Sequence, residues 1–267
     1  MAGFAKNAYG EVVGFDAHTY HTIIVGATRS GKSSTAYMML FRAAQDPNLV
    51  IVGIDPSGLT LAPFEDCGQS LIATGSYDPS RYVEILENLT ALMDARTAML
   101  RRCGTDKLKP STATPTVLVV LEEYAGILAT CDSHDSGAKP AERIKPLITG
   151  AVGRLLREGA KCQIFVWCIL QRPDATLIGG GDRAQYSRRI THRLDNRDGV
   201  TMLNESATEE HITKILTFPT GVGLLNEPGE PYRYFRSAYL PYAEYLATVA
   251  YHYQPNNRLW QELAPSA

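Results

Sequence analysis

The sequence predicts an α/β fold, a mostly parallel central sheet with helices on both faces. Four short apolar runs rich in β-branched residues, 22–25, 49–54, 116–121 and 163–170, have the length and composition of buried strands. Stretches of helical pattern separate them, and strands alternating with helices mark a parallel sheet covered on both sides. Each run also ends in residues able to carry chemistry. Sheets of this kind bind ligands at the carboxyl ends of their strands.

The 267 residues are 45% hydrophobic and 20% charged, ordinary globular values that suit one domain over 1–267. No apolar run approaches a membrane span, and MAGFAKNAYGEVVGF lacks the apolar core of a signal peptide. No direct membrane insertion is expected. Cys67, Cys103, Cys131, Cys162 and Cys168 form no CxxC pair and no zinc spacing, so they are expected to be reduced core thiols of a cytoplasmic protein. The net charge is −2, so any nucleic-acid contact must come from a local basic patch.

Thr22–Val25 (TIIV) is the first buried strand. Gly26 to Ser33 then fits G-x-x-x-x-G-K-S, and STAYMMLFRAA beyond it has helical composition with no breaker. Strand, glycine loop and helix form the context of a phosphate-binding P-loop. LVIVGI (49–54) is the second strand and ends in Asp55-Pro56. Residues 56–80, rich in Gly, Pro and Ser, are expected to be surface structure. A long helix is predicted over 81–102, with Val83, Leu86, Leu89, Met93 and Met99 near one face. Residues 104–115 read as a turn-rich connection. TVLVVL (116–121) is the third strand and ends in Glu122-Glu123. CDSHDSGAKP (131–140) reads as a polar loop, and 143–158 as helix. QIFVWCIL (163–170) is the fourth strand and ends in Gln171-Arg172-Pro173.

Those strand ends suggest a nucleotide site. Gly26 and Gly31 let the backbone turn sharply and approach phosphate oxygens, and a helix N-terminus adds partial positive charge. The candidate nucleotide-binding residues are Gly26, Ala27, Thr28, Arg29, Ser30, Gly31, Lys32, Ser33 and Ser34. Lys32 would reach the β- and γ-phosphates of ATP, and the Ser33 hydroxyl would hold Mg²⁺. An apolar strand ending in two carboxylates is a Walker B pattern. Glu122 would orient the Mg²⁺ shell through water, and Glu123 would polarise the attacking water. The blander alternative is a helix start that carries two acids, since acids favour helix N-termini. A Gln171 amide can bond both the γ-phosphate and the attacking water; otherwise it is simply a polar strand end. His18, His21 and His134 read as structural or surface residues. Arg183, Arg188, Arg189, His192, Arg193 and Arg197 form the one dense basic stretch. Such a stretch can bind a phosphate backbone, although charge runs are more often a solvated face.

The order of these motifs resembles the FtsK/SpoIIIE family of double-stranded DNA translocases. The matching pieces are HTIIVGATRSGKSS (21–34), VGIDPSG (52–58), LTALMDARTAMLRR (89–102), TVLVVLEEYAG (116–126), ILQRPDA (169–175), RRITHRLDNRDGVTMLNE (188–205) and GVGLLNEPGEPYRYFRSAYL (221–240). The resemblance runs from about residue 10 to 240, leaving 241–267 as a helical tail. It implies a RecA-like ATPase that assembles as a hexameric ring around duplex DNA and moves it. By position, Lys32 and Ser33 bind nucleotide and Mg²⁺. Glu122 stands where the family has aspartate, and Glu123 is the catalytic acid. Gln171 and Arg172 fall on the post-sensor turn, with Arg172, Arg193 and Arg197 as DNA-contact candidates. The family also reaches a neighbour's nucleotide with an arginine on the helix before the sensor strand, for which Arg157, or else Arg154, is the candidate.

There are departures from the family pattern. Arg29 stands where the family commonly has glycine, and Ser57 where it has lysine. The family's membrane anchor and winged helix are missing from the sequence, so a bare motor of plasmid or phage type is expected, directed by a loading or membrane partner protein if by anything. Phage genome packaging or conjugative coupling, as in HerA-like ATPases, is the competing reading. A nucleotide-gated interaction module that rarely turns over is the third. An intact Glu123 and Gln171 argue against it.

Overall fold

The computed structural model describes residues 2–75, 78–174, 177–256 and 259. The N-terminal strands are β1 (Ala2–Lys6) and β2 (Val12–Phe15), followed by β3 (Thr22–Val25) and helix α1 (Lys32–Ala44). β4 (Leu49–Asp55), α2 (Ala62–Asp66), β5 (Ile72–Thr74) and α3 (Pro79–Cys103) come next. β6 (Thr116–Glu122), α4 (Tyr124–Asp135), α5 (Lys145–Glu158) and β7 (Ile164–Leu170) complete the middle of the chain. The last third holds α6 (Gly180–Gln185), β8 (Arg188–His192), α7 (Arg197–Leu203), α8 (Glu209–Leu216), β9 (Val222–Asn226), β10 (Arg233–Ser237) and α9 (Tyr242–His252). Of the expected 241–267 tail, α9 is helical; residues 257–258 and 260–267 lie outside the described residues, as does Ala175.

All ten strands join one sheet in the order β2-β1-β10-β9-β8-β3-β7-β6-β4-β5. From β8 to β5 the pairing is parallel; β9, β10, β1 and β2 continue it antiparallel. The four strands read from the sequence are therefore adjacent, the interior of the parallel half between β8 and β5. They are apolar throughout because both faces are covered. Ile23, Val25, Val50, Val52, Val117 and Val119 point to the layer of α3, α4 and α5. Their alternates Ile24, Ile51, Leu118, Val120, Phe165 and Trp167 meet α1 and α9.

Several expectations need correction. Residues 56–80 are not only surface: Leu61, Phe64, Leu71, Ile72 and Ala73 are buried, and β5 is an edge strand. The polar loop at 131–140 is shorter, because α4 continues to Asp135. Cys131 is buried one turn beyond Ile127, while the Asp135 carboxylate accepts from the Ile144 and Lys145 N–H groups at 2.8 and 2.9 Å. On α3 the inward positions include Tyr82, Ile85, Leu92 and Leu100, and Met99 is only half-buried. Arg96 also faces inward. Its guanidinium donates to the Cys162 and Pro115 carbonyls, each at 2.8 Å, which satisfies strand ends that a leucine would leave unpaired. Not all cysteines are core thiols: Cys103 is exposed and Cys67 half-buried.

Two histidines are held neutral by burial. His21 accepts the Val166 N–H at 3.0 Å, and His192 donates from Nδ1 to the Val222 carbonyl at 2.9 Å. Desolvation pushes each down to about 4. The unfolded chain binds these protons near pH 6.5, so the stabilisation is complete above that pH and is lost as pH falls towards 4. Each group accounts for up to about 3 kcal/mol. Urea midpoints should fall steeply between pH 7 and pH 5, and His21→Asn should remove its share of the slope. An unchanged slope in that variant would assign the acid sensitivity to other groups.

A candidate nucleotide site at the carboxyl edge of the sheet

Sheet register creates the site. Val25 pairs with Leu170 on one side and Thr191 on the other, and Glu122 pairs with Ile169. Four strand ends therefore stop at one level, and residues 26, 122–123, 171 and 193 meet above them. The Gly26 N–H donates to the Leu170 carbonyl at 3.2 Å, closing the loop onto the sheet. Gly31 caps α1 with φ 97, and Arg29 has φ 62. The family's glycine at position 29 suits that left-handed backbone; an L-residue there costs about 1–2 kcal/mol. The first N–H groups of α1 have no intrahelical acceptor and are free to meet an anion.

The turn before the final hairpin braces the loop, a contact that the matching segment 221–240 does not itself announce. The Gly221 N–H donates to the Ser30 carbonyl at 2.8 Å, and the Thr220 hydroxyl donates to the Arg29 carbonyl at 2.9 Å. Only a Pro-Thr-Gly turn before an apolar run marks this segment in the sequence. The cleft this leaves is about 560 Å³, lined by residues 27–34, Ser57, Glu122, Glu123, Gln171 and Thr220.

Two carboxylates face Lys32 across it. The Lys32 Nζ lies 4.0 Å from Glu122 Oε1 and 3.9 Å from Glu123 Oε2. Burial pushes the Glu122 carboxyl up to about 7, against the pull of Lys32 and with help from Asp55 and Glu123. Its Oε2 is buried without a hydrogen-bond partner. Glu123 sits at the start of α4 with φ 48, yet its side chain makes no cap bond to that helix. Its carboxylate instead lines the cavity beside Lys32.

Asp55, grouped above with the other strand ends, proves to be a loop organiser. Its Oδ1 accepts from the Ser57 N–H, the Ser57 hydroxyl and the Gly58 N–H at 3.0, 2.6 and 3.1 Å. Its Oδ2 accepts from Thr60 and Leu61 N–H at 2.7 and 2.9 Å. Those bonds carry Ser57 to the cavity. A hard divalent cation fits what remains: the exposed Ser33 hydroxyl and the orphaned, buried Glu122 oxygen are the donors it takes.

The other candidates are divided. Gln171 is in the cavity, where its Oε1 accepts from the Thr28 hydroxyl at 3.3 Å. Arg157 does not line the cavity; its Nη1 pairs with Asp182 at 2.9 Å. A Cβ on Gly153 would come within 2.9 Å of that guanidinium, so a mid-helix glycine makes room for the pair. Arg154 pairs with Asp94 and Glu158. Arg172 is exposed, 3.9 Å from Asp195, and Arg197 pairs with Glu209. Arg193 is half-buried and donates to the Thr28 carbonyl of the P-loop at 3.4 Å.

The arginine stretch is not one basic face. Arg188 is buried, bonded to Glu227 and to the Asp16 carbonyl, with its guanidinium over Tyr20. Arg189 is half-buried on the Tyr186 and Leu203 carbonyls. Neither lies on a solvated outer face.

Fold and site together define a RecA-like P-loop ATPase. The sequence profile of the FtsK/SpoIIIE family matches residues 2–173, and the chain belongs to that family. It is 26% identical over 222 residues to the DNA translocase FtsK of Treponema pallidum (strain Nichols), covering 77% of this chain and 26% of that protein. It thus spans about a quarter of that relative's length. Among solved structures it is similar to the pCW3 conjugation coupling protein TcpA, with TM-score 0.71 and 19% identity over 90% of this chain and 66% of that one. It is likewise similar to the cytoplasmic domain of the Thermomonospora curvata type VII secretion ATPase EccC, with TM-score 0.70, 18% identity, and coverage of 95% and 31%. At those identities the likeness is one of fold. Among the described residues, no helix is long and apolar enough to cross a membrane.

Proposed function

We propose that this ATPase drives translocation of double-stranded DNA as a hexameric ring in the cytoplasm, with ATP on the P-loop and Mg²⁺ held by Ser33 and, through water, Glu122. The observation that carries the reading is the meeting of Lys32, Glu122, Glu123 and Gln171 in one cavity of an FtsK-type chain. Mg²⁺ would supply charge neutralisation at the phosphates. Lys32 binds them, the backbone of 27–31 cradles them, Gln171 orients water, and Glu123 takes its proton. In the ring, Arg157 would exchange its Asp182 partner for a neighbour's nucleotide; exposed pairs are worth only about 0–1 kcal/mol, so the exchange costs little.

Arg172 and Arg197 are the exposed cations proposed to grip DNA, by trading Asp195 and Glu209 for phosphates. A motor indifferent to sequence must hold the backbone, because only the backbone repeats identically. Replacing both by alanine should weaken duplex binding equally across unrelated sequences and lower the salt slope by about two units. Duplex affinity measured against salt checks this. An unchanged slope would put the DNA path elsewhere. Electron microscopy with an ATP analogue and duplex tests the ring itself: duplex through a six-fold hole is expected, and a monomer beside free DNA would refute it.

The second reading is a phage genome-packaging or conjugative-transfer coupling ATPase, which would use the same fold and the same nucleotide site. Translocation on naked duplex without partner proteins supports the first; a requirement for a partner complex supports the second.

A further inference from the structure

We propose that the Arg29 side chain is a phosphate-binding cation of the nucleotide site, holding the polyphosphate of ATP or ADP from within the loop itself. The proposal rests on nucleotide lying on the P-loop. Arg29 lines the cleft, and its backbone belongs to the segment whose N–H groups would cradle the phosphates. A guanidinium on a flexible stem rooted there has those phosphates within reach, and its planar fork suits two oxygens of one phosphate. The charges of the cleft single this arginine out. Its lining cations are Arg29 and Lys32, and its lining anions are Glu122 and Glu123. Lys32 already faces both carboxylates, at 4.0 and 3.9 Å. Among the described residues, no carboxylate lies within ion-pair distance of Arg29. An entering anion therefore meets Arg29 as an unopposed charge. The segment after β4 offers no other. Ser57 stands there where the family has lysine, and its hydroxyl is engaged with Asp55 Oδ1 at 2.6 Å. The cation absent after β4 is present on the loop.

The backbone bears a cost to carry this side chain. Arg29 has φ 62, a conformation that glycine adopts more readily. The surrounding bonds fix it there. The Thr220 hydroxyl donates to the Arg29 carbonyl at 2.9 Å, and the Ser30 N–H closes back onto the Ala27 carbonyl at 3.0 Å. The Gly221 N–H holds the next carbonyl, that of Ser30, at 2.8 Å. A strained residue over-determined by its surroundings at a ligand site points to a role for its side chain. Arg29 is exposed, so solvent and salt screen its charge. The polyphosphate carries several negative charges, each of which attracts the guanidinium. The attraction is therefore substantial at low ionic strength and sensitive to salt.

The test is equilibrium binding of ADP and of the β,γ-methylene analogue of ATP to the full chain, at low and at high salt. Arg29→Gln and Arg29→Gly should each weaken both nucleotides by about five- to tenfold at low salt, the scale of a hydrogen bond to a charged group. Arg29→Lys keeps the charge and should lose less than about threefold. The deficits should shrink at high salt. Arg29→Gly also relieves the left-handed strain, so its urea midpoint should rise while its binding falls, a combination that a purely structural role does not produce. Binding of both nucleotides within about twofold of wild type in the glutamine and glycine variants would overturn the proposal. Weak binding in the glycine variant beside normal binding in the glutamine variant would assign the effect to backbone freedom and overturn it too. So would unchanged nucleotide binding with weaker duplex binding, which would move Arg29 to the DNA path. Lys32→Ala checks the premise separately and should lose both nucleotides. Normal binding in that variant would refute the P-loop reading and the proposal with it; loss there, with wild-type binding in the Arg29 variants, would refute the proposal alone.

Discussion

Glu123→Gln should leave nucleotide bound and lower ATP hydrolysis by roughly a hundredfold or more. The carboxylate sits 3.9 Å from Lys32, lines the cavity, and takes no part in capping α4. Glutamine has the same shape and can still position a water, but it cannot accept the proton that nucleophilic attack releases. Glu122 is no substitute, because its carboxylate is buried and, on the proposed reading, is committed to the Mg²⁺ shell. Phosphate release and bound nucleotide, measured on the same preparation, separate the two effects. Turnover near the wild-type rate would mean that the base lies elsewhere.

Gly31→Ala should damage folding and binding together. The residue holds φ 97, where a side chain is strained by about 1–2 kcal/mol. A Cβ there would also lie 2.6 Å from the Gly221 Cα, and neither backbone can yield without breaking the Gly221–Ser30 hydrogen bond. A stability loss of about 2–4 kcal/mol is expected, with nucleotide affinity reduced more than tenfold. Gly10→Ala is the control: its φ is 80, but nothing lies within 4 Å of the added carbon, so only the strain remains. Equal losses in the two variants, read from urea midpoints, would show that the hairpin contact contributes nothing.

The parts of the fold legible in the sequence are those that local composition dictates. TIIV, LVIVGI, TVLVVL and QIFVWCIL are buried on both faces, so they are apolar without interruption and stand out. The P-loop was legible because its glycines and lysine have fixed spacing. β1 and β2 were missed: AGFAK and VVGF are short, and they become strands by pairing with each other and with β10 at the far end of the chain. The arginine stretch misled for a related reason. What turns Arg188 into a core residue is Glu227, 39 positions away, and no local pattern reports such a partner. Cys131 carried two readings, a core thiol and the start of a polar loop with Asp132, Ser133 and His134; helical spacing from Ile127 decides for the core. Gly221 opens the last family-matching segment, but neither it nor Thr220 has a spacing that ties it to the phosphate loop, which they reach through a turn.

β3 stands at the middle of the sheet, but both of its neighbours are made late. β7 begins at Ile164 and β8 at Arg188, so roughly 140 residues must follow β3 before either flank exists. At a synthesis rate of about 5–20 residues per second, that is on the order of ten seconds or more on the ribosome. Throughout it the strand that bears the phosphate loop is an uncovered apolar segment. The brace from Thr220 and Gly221 comes later still. Any product released before that point lacks the backbone brace that frames the nucleotide cavity.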